Sequence, residues 1–522
     1  MPAIILASNR SPLDFRLEAE DTPSLGGLVQ ALYGCLQQHD LWVAVSQGDN
    51  DPNLVDQDGI IPFQAEHAGT PAFRIKKIFL DREAYGSYYD RFSNGFLWPL
   101  FHLTKGAYHE MSKPFPRPHF DGNDFFLYSL VNDIFAQAIV SHAEDDSLVW
   151  VQDYHFLLLP EKIKERRERL TVGQFLHVPM FHPRIIDRYL RNEEKARQGL
   201  EYLIKGMLAN DLLGFHIPEY IENFAAAVKQ FFPLSSVRDT SHGLEVSYAG
   251  RTCYVEPFPI GVDVASVLGN APPASLKISD QGKELQSLID EAKRNERLVL
   301  LGLERADYTK GLIERLAIIE CLLQEGIKLQ YIGVATPSRK GVKAYEKLAA
   351  AMSRHERRIN ARWKERLNYL PVKNFQTTLH PPENYAFLRQ AGGVMITTIE
   401  DGMNLVSYEA ILAKAGLEYK QRGFVVIGNC GAEKVAKAYG DQHGLIRVDP
   451  FNARDAAHRI IDALTSRYTI SDALVEHVKG QDITTWRNTY LERLQEIGKS
   501  PAQKGKPFAP AARTDEARTG DN

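Results

Sequence analysis

Leu298-Val299-Leu300-Leu301-Gly302-Leu303-Glu304-Arg305-Ala306-Asp307-Tyr308-Thr309-Lys310-Gly311 is the stretch whose reading decides the fold. It opens as an unbroken apolar run, which predicts a strand over 298–302 buried on both faces. It then turns polar and charged and leads into an apolar-periodic segment that predicts a helix over 311–325. A second apolar run, Leu329-Gln330-Tyr331-Ile332-Gly333-Val334, predicts the next strand. Strand, helix and strand in this order form a βαβ unit, and such units build parallel sheets covered by helices.

The same alternation extends in both directions. Upstream, strands are predicted over 148–151 and 172–178 and helices over 161–169 and 193–208. Downstream, strands are predicted over 393–396 and 424–427. Ile4-Ile5-Leu6-Ala7 reads as a buried strand rather than the apolar core of a signal peptide. There are enough units for two sheets. The expected class is α/β, with two doubly wound Rossmann-like domains facing a central cleft. The expected division is 1–258, 259–480, a helix over 481–499 that crosses back to the first domain, and a disordered tail over 500–522. The segment 264–282, which holds Pro272-Pro273, reads as a hinge.

Composition bounds the function. The chain has 522 residues, 44% of them hydrophobic and 25% charged, enough for two to four domains. Its 62 basic and 66 acidic side chains leave a net charge of −4, which argues against general nucleic-acid binding. No apolar run nears the roughly 20 residues that span a bilayer, so no membrane partner is expected. Four cysteines, Cys35, Cys253, Cys321 and Cys430, show no CxxC spacing. A reducing, cytoplasmic setting without a zinc site is the expectation. The oligomeric state stays open, a homo-oligomer included.

Ligands of doubly wound sheets bind beyond the carboxyl ends of the strands, so polar residues just after a strand are site candidates. Arg10 follows the first strand and could hold an anion; a solvated arginine is the bland alternative. Gly26-Gly27 before a helix could admit a phosphate to backbone amides, or could be a plain turn. Asp153 ends the strand over 148–151 and could bind sugar hydroxyls or assist proton transfer, or simply cap a helix. His177 ends the next strand, where a satisfied core histidine is the alternative. Arg305 and Lys310, two cations at a strand-to-helix junction, suit a diphosphate better than a salt-bridged loop. Asp401-Gly402-Met403-Asn404-Leu405-Val406-Ser407-Tyr408-Glu409 follows the strand over 393–396. Its turn aims free amides and a positive helix end at the cleft. Glu409, expected about two turns into that helix, could hold a ribose diol. Asp49-Asn50-Asp51 fits a metal-binding DxD pattern but sits in a turn without further hard ligands, so no metal is expected.

Taken together, these motifs resemble the trehalose-6-phosphate synthase family of retaining GT-B glycosyltransferases, from Ile4 to about Leu494. Further pieces are Tyr89-Asp90-Arg91-Phe92-Ser93-Asn94-Gly95-Phe96-Leu97-Trp98-Pro99, Pro259-Ile260-Gly261-Val262-Asp263 and Pro337-Ser338-Arg339. The resemblance implies transfer of glucose from a nucleotide sugar to a phosphorylated acceptor, with no cofactor and no metal. It implies that Arg305, Lys310 and the Gly26-Gly27 loop hold the donor diphosphate. Asp401 and His177 would contact the donor glucose, Gly402 to Leu405 would lie near sugar and diphosphate, and Leu405 to Glu409 would line the nucleotide. Backbone near Asn374 and Phe375 would meet the base. Arg10, Tyr89, Trp98 and Arg339 would bind the acceptor and its phosphate, and Asp153 the acceptor sugar.

Some positions depart from the family pattern: Val45 stands where a tryptophan is usual, Gln152 for a histidine and Glu400 for an arginine. Met180-Phe181 replaces Phe-Pro, and the stretch from Lys105 to Asp124 is longer. Two substrate pairs therefore stay open: UDP-glucose with glucose 6-phosphate, or ADP-glucose with glycerol 3-phosphate, as in glucosylglycerol-phosphate synthase. A catalytically silent nucleotide-sugar sensor is the third reading, and the intact Arg305, Lys310 and Asp401 oppose it.

Overall fold

The computed structural model describes residues 2–11, 13–14, 22–23, 32, 36–63, 72–102, 116–269, 278–339, 342–366 and 369–500. Its framework is two sheets. The smaller has six parallel strands in the spatial order 373–375, 329–336, 298–305, 393–396, 424–427 and 445–447. Numbered along the chain this order is 3-2-1-4-5-6, the Rossmann arrangement. The chain order reverses between strands Leu298–Arg305 and Gly393–Ile396, which opens a crevice at their carboxyl ends.

The larger sheet has ten strands, ordered 236–239, 244–248, 251–257, 212–215, 171–175, 148–152, 4–8, 41–45, 73–78 and 60–63. Its seven central strands are parallel and follow the same rule. The reversal falls between Ile4–Ser8 and Leu148–Gln152. Each strand beside a reversal is buried along nearly its whole length, the pattern expected for a sheet covered on both faces.

Predicted strands and helices fall within about three residues of those observed. The strand Leu298–Arg305 runs three residues past the predicted end, because it stays paired with Leu329–Thr336 up to Arg305 opposite Thr336. Of the expected hinge, 264–269 form the helix Val264–Gly269 and 280–282 open the helix Asp280–Arg294, which starts behind Ser279, whose side chain accepts from Gly282 N; Pro272-Pro273 lie outside the described residues. Residues 270–277, Gly26, Gly27, the start of the long stretch at 103–115 and the tail at 501–522 lie outside the described residues.

The helix Ile483–Lys499 follows the second sheet in sequence but packs on the first. Tyr490 stacks on Trp150 at 5.2 Å and its hydroxyl donates to Leu212 O at 3.2 Å, while Arg493 pairs with Glu256 at 2.8 Å. Among the described residues no helix is long and apolar enough to cross a membrane.

Candidate active site

On the smaller sheet, the chain leaves its first strand at Arg305 and passes through the turn Tyr308–Lys310. It then reaches Gly311 at φ +61 before the helix Leu312–Gln324. Any Cβ at Gly311 would run into the Thr397 carbonyl, so the two crevice loops touch through backbone. Ile399 N donates to Thr309 O at 2.8 Å. Behind them lies a buried polar web that ties the loops together. Arg315 pairs with Glu304, each about 1% exposed. Glu304 accepts from Thr398 Oγ1 at 3.2 Å and Asn404 Nδ2 at 3.1 Å, and Arg315 Nε donates to Thr397 Oγ1 at 2.9 Å.

This web presents Lys310 and Asp401 to each other as a nearly buried ion pair. Asp401 Oδ1 also accepts from Gly402 N at 3.0 Å. Asn404 caps the helix Leu405–Ala413, its side chain accepting from Ser407 N at 3.3 Å. Glu409 is the fifth residue of that helix, closer to one turn in than two. Desolvation pushes its carboxyl up to about 7. Asn374 spends its amide on Glu356 at 3.0 Å, so the edge strand Lys373–Phe375 offers backbone rather than that side chain.

On the larger sheet, Asp153 leaves the fourth parallel strand at φ +68, a region costly for any residue but glycine. Its N donates to Phe175 O at 2.7 Å and its Oδ1 accepts from His177 N at 3.2 Å. Burial pushes this carboxyl up to about 7. His177 meets Gln152 Oε1 at 3.1 Å, and desolvation with help from His216 keeps its imidazole neutral. Gln152, one of the departures from the family pattern, thus engages His177.

Tyr89 and Trp98 sit on a helix that runs as Arg82–Tyr85, Gly86–Leu97 and Trp98–Phe101. From Gly86 to Leu97 it is wound with π-helical spacing, for example Trp98 N to Ser93 O. Nine positions then make about two turns, where an α-helix would make about two and a half and put the rings on opposite faces. Both rings reach the arginines of the other sheet. Arg339 lies 3.9 Å above the Trp98 ring and Arg305 5.6 Å from it.

Arg339, at φ +49, pairs with Asp307 at 2.9 Å and reaches the Tyr345 hydroxyl and, at 3.5 Å, that of Tyr154. Arg305 has no carboxylate at ion-pair distance among the described residues. Desolvation raises the Tyr89 phenol, yet Arg10, which hydrogen-bonds it, and Arg339 and Arg305 outweigh that and hold it below its ordinary value. A buried phenol held low marks positive potential converging from both sheets.

The structure therefore gathers Arg10, Tyr89, Trp98, Asp153, Arg305 and Arg339 at the facing crevices, with Lys310, Asp401 and His177 beside them. Asp51 is committed elsewhere: it pairs with buried Lys77 at 3.0 Å and accepts from Ser46 Oγ at 2.9 Å. Among the described residues no group of three or more metal-ligating side chains forms. Glu304, Asp307, Arg315, Tyr154 and Tyr345 were not singled out from sequence. Asp307 and Glu304 lie inside the decisive stretch, and their alternation with Arg305 was the available signal.

Two such sheets with facing switch points define the GT-B class of glycosyltransferases. A protein from E. coli bound with UDP-2-fluoro glucose superposes with a TM-score of 0.75 at 23% identity, covering 95% of this chain and 99% of that one. An alpha,alpha-trehalose-phosphate synthase (UDP-forming) from Burkholderia xenovorans, in complex with glucose-6-phosphate, gives 0.74 at 23% identity over 94% and 100%. The sequence profile of glycosyltransferase family 20 matches residues 3–496, and the chain belongs to that family. In sequence it is 30% identical to an alpha,alpha-trehalose-phosphate synthase (UDP-forming) of Schizosaccharomyces pombe, over 95% of this chain and 90% of the relative.

Proposed function

We propose that the protein transfers glucose from UDP-glucose to glucose 6-phosphate with retention, forming trehalose 6-phosphate and UDP. The observation that carries this reading is the meeting of Arg339 and Arg305, 3.9 and 5.6 Å from the Trp98 ring, with Arg10 at Tyr89, whose phenol the three hold low. A phosphate dianion placed there gains charge-assisted hydrogen bonds from both halves of the molecule. The relatives named UDP-forming synthases and the neighbour in complex with glucose-6-phosphate support the same donor and acceptor.

In this reading residues 1–258 hold the acceptor and 259–480 the donor, with 481–499 returning to the first half. Arg305 and Lys310 hold the donor diphosphate with Gly26 and Gly27, and amides of Gly402 to Leu405 add the positive helix end. Asp401 and His177 orient the donor glucose. Glu409 holds the ribose beside Val406, Ser407 and Tyr408, and backbone at Asn374 and Phe375 meets the base. Arg10, Tyr89, Trp98 and Arg339 fix the acceptor phosphate, and Asp153 accepts a hydrogen bond from an acceptor hydroxyl.

The acceptor hydroxyl attacks the anomeric carbon on the face from which UDP departs. The anomeric carbon–oxygen bond to the phosphate breaks as the new one forms, and the hydroxyl proton passes to the departing phosphate oxygen. Arg305 and Lys310 are already in place where negative charge grows, which is where electrostatic catalysis acts. The test is product analysis by NMR from UDP- or ADP-glucose, each with glucose 6-phosphate or glycerol 3-phosphate. Trehalose 6-phosphate from UDP-glucose supports the proposal; turnover with glycerol 3-phosphate alone overturns it.

A further inference from the structure

Asp401 is held from three directions, and one of them crosses between the sheets. Its carboxylate meets Lys310, and its own Gly402 N donates back to it at 3.0 Å. Its backbone carbonyl accepts a buried hydrogen bond from the Tyr220 hydroxyl at 2.8 Å. Tyr220 belongs to the helix Pro218–Phe231, which follows the sixth parallel strand of the larger sheet. Burial drives its phenol far above the ordinary value, so the hydroxyl is a donor throughout the working pH range.

The contact has no slack on the Asp401 side. A Cβ at Gly402 would strike the His177 carbonyl, and one at Gly431 would strike the Gly402 carbonyl. On the rim of the same seam Lys434 of the smaller-sheet half pairs with Glu219, the neighbour of Tyr220.

We infer that Tyr220 is a positioning residue of the larger-sheet half that sets the backbone of the Asp401–Gly402 turn when the halves are together, so that donor-sugar orientation depends on the acceptor half. This rests on the reading of Asp401 as a donor-sugar residue. Most of the groups assigned to UDP, among them Arg305, Lys310 and the helix that carries Glu409, do not touch Tyr220, so UDP binding depends on the contact far less than sugar orientation does. Removing the Tyr220 hydroxyl leaves a buried carbonyl unsatisfied and frees the turn. A displacement of about 1 Å at a reacting centre costs roughly 100-fold in rate.

The experiment compares Tyr220→Phe and Asp401→Ala with the wild type by steady-state kinetics, UDP calorimetry and thermal melting. For Tyr220→Phe the expected result is a kcat lower by roughly 10- to 100-fold with UDP affinity changed far less. Wild-type kinetics in Tyr220→Phe beside an inactive Asp401→Ala would overturn the inference and leave the site reading standing. Wild-type kinetics in both would overturn both. Equal losses of kcat and UDP affinity in Tyr220→Phe would also overturn the inference, because they would report a general structural lesion.

Charge reversal at the rim gives a second readout that spares the core. Glu219→Lys and Lys434→Glu should each raise the UDP-glucose KM a few-fold, and the double reversal should restore it. Singles without effect, or a double that is worse than either, would count against coupling through this seam.

Discussion

Removing Lys310 separates two roles that the structure gives to one ammonium. Its side chain is 8% exposed and that of its partner Asp401 is 11% exposed, so the pair is close to fully desolvated. Breaking such a pair from one side leaves an uncompensated buried charge and costs about 3–5 kcal/mol. That is a large part of the roughly 5–15 kcal/mol that holds a typical domain folded. Lys310→Met should therefore lower the melting temperature clearly. It should also lower kcat by about 10²–10³, the usual cost of losing one preorganised electrostatic partner. Adding Asp401→Asn removes the stranded carboxylate, so the double variant should regain most of the melting temperature and none of the rate. Arg305→Ala supplies the contrast: its guanidinium reaches the open cleft, so rate should fall with little change in melting. Thermal melts and initial rates on the four proteins suffice. Full activity in Lys310→Met, or a double variant less stable than Lys310→Met, would refute the reasoning.

Asp153 predicts a pH dependence. Burial raises its pKa from 3.8 to about 7, so the folded protein binds this proton more tightly than the unfolded chain does. The stability this contributes is complete below about pH 4 and is lost as pH rises through about 7. Asp153→Asn should therefore gain in melting temperature over wild type as pH rises across that window. The wild-type acceptor kcat/KM should climb through about pH 7 where the variant stays flat; identical profiles would dismiss the role. Gly402→Ala should lower kcat by roughly 100-fold, because its Cβ meets the His177 carbonyl and the turn must shift; unchanged kcat would contradict that close approach. Activity should survive exhaustive chelation, since Arg305 and Lys310 supply the charge at the leaving group and Asp51 is tied to Lys77 at 3.0 Å; loss in EDTA restored by Mg²⁺ would contradict it.

Much of the fold is legible in the sequence for a simple reason. A strand covered on both faces is apolar throughout, and helices must alternate with such strands to return the chain in parallel. Residues such as Arg10 and Asp153 stand out because each is the first charged group after such a run, and Arg305 stands out as the first cation after its own, directly behind Glu304. Tyr89 and Trp98 do not read as one face at α-helical spacing; only the wider winding from Gly86 to Leu97 aligns them. The hinge expected from Pro272-Pro273 lies outside the described residues, and the helices Val264–Gly269 and Asp280–Arg294 flank it. The partnerships of Glu304 with Arg315, of Asp307 with Arg339 and of Tyr220 with Asp401 are set by which strand ends meet in space. No local pattern in the chain announces them.

The central claim is that positive charge from both halves converges on an acceptor phosphate. The most direct measurement is the ratio of kcat/KM for glucose 6-phosphate to that for free glucose, in wild type and in Arg10→Ala and Arg339→Ala. With Tyr89 already held low by these guanidiniums, the wild-type ratio should be large, at least about 10² at the strength of two charge-assisted contacts. Each variant should reduce it by more than tenfold while UDP affinity stays unchanged. Free glucose serving as well as glucose 6-phosphate in the wild type, or a ratio untouched by either substitution, would contradict the account.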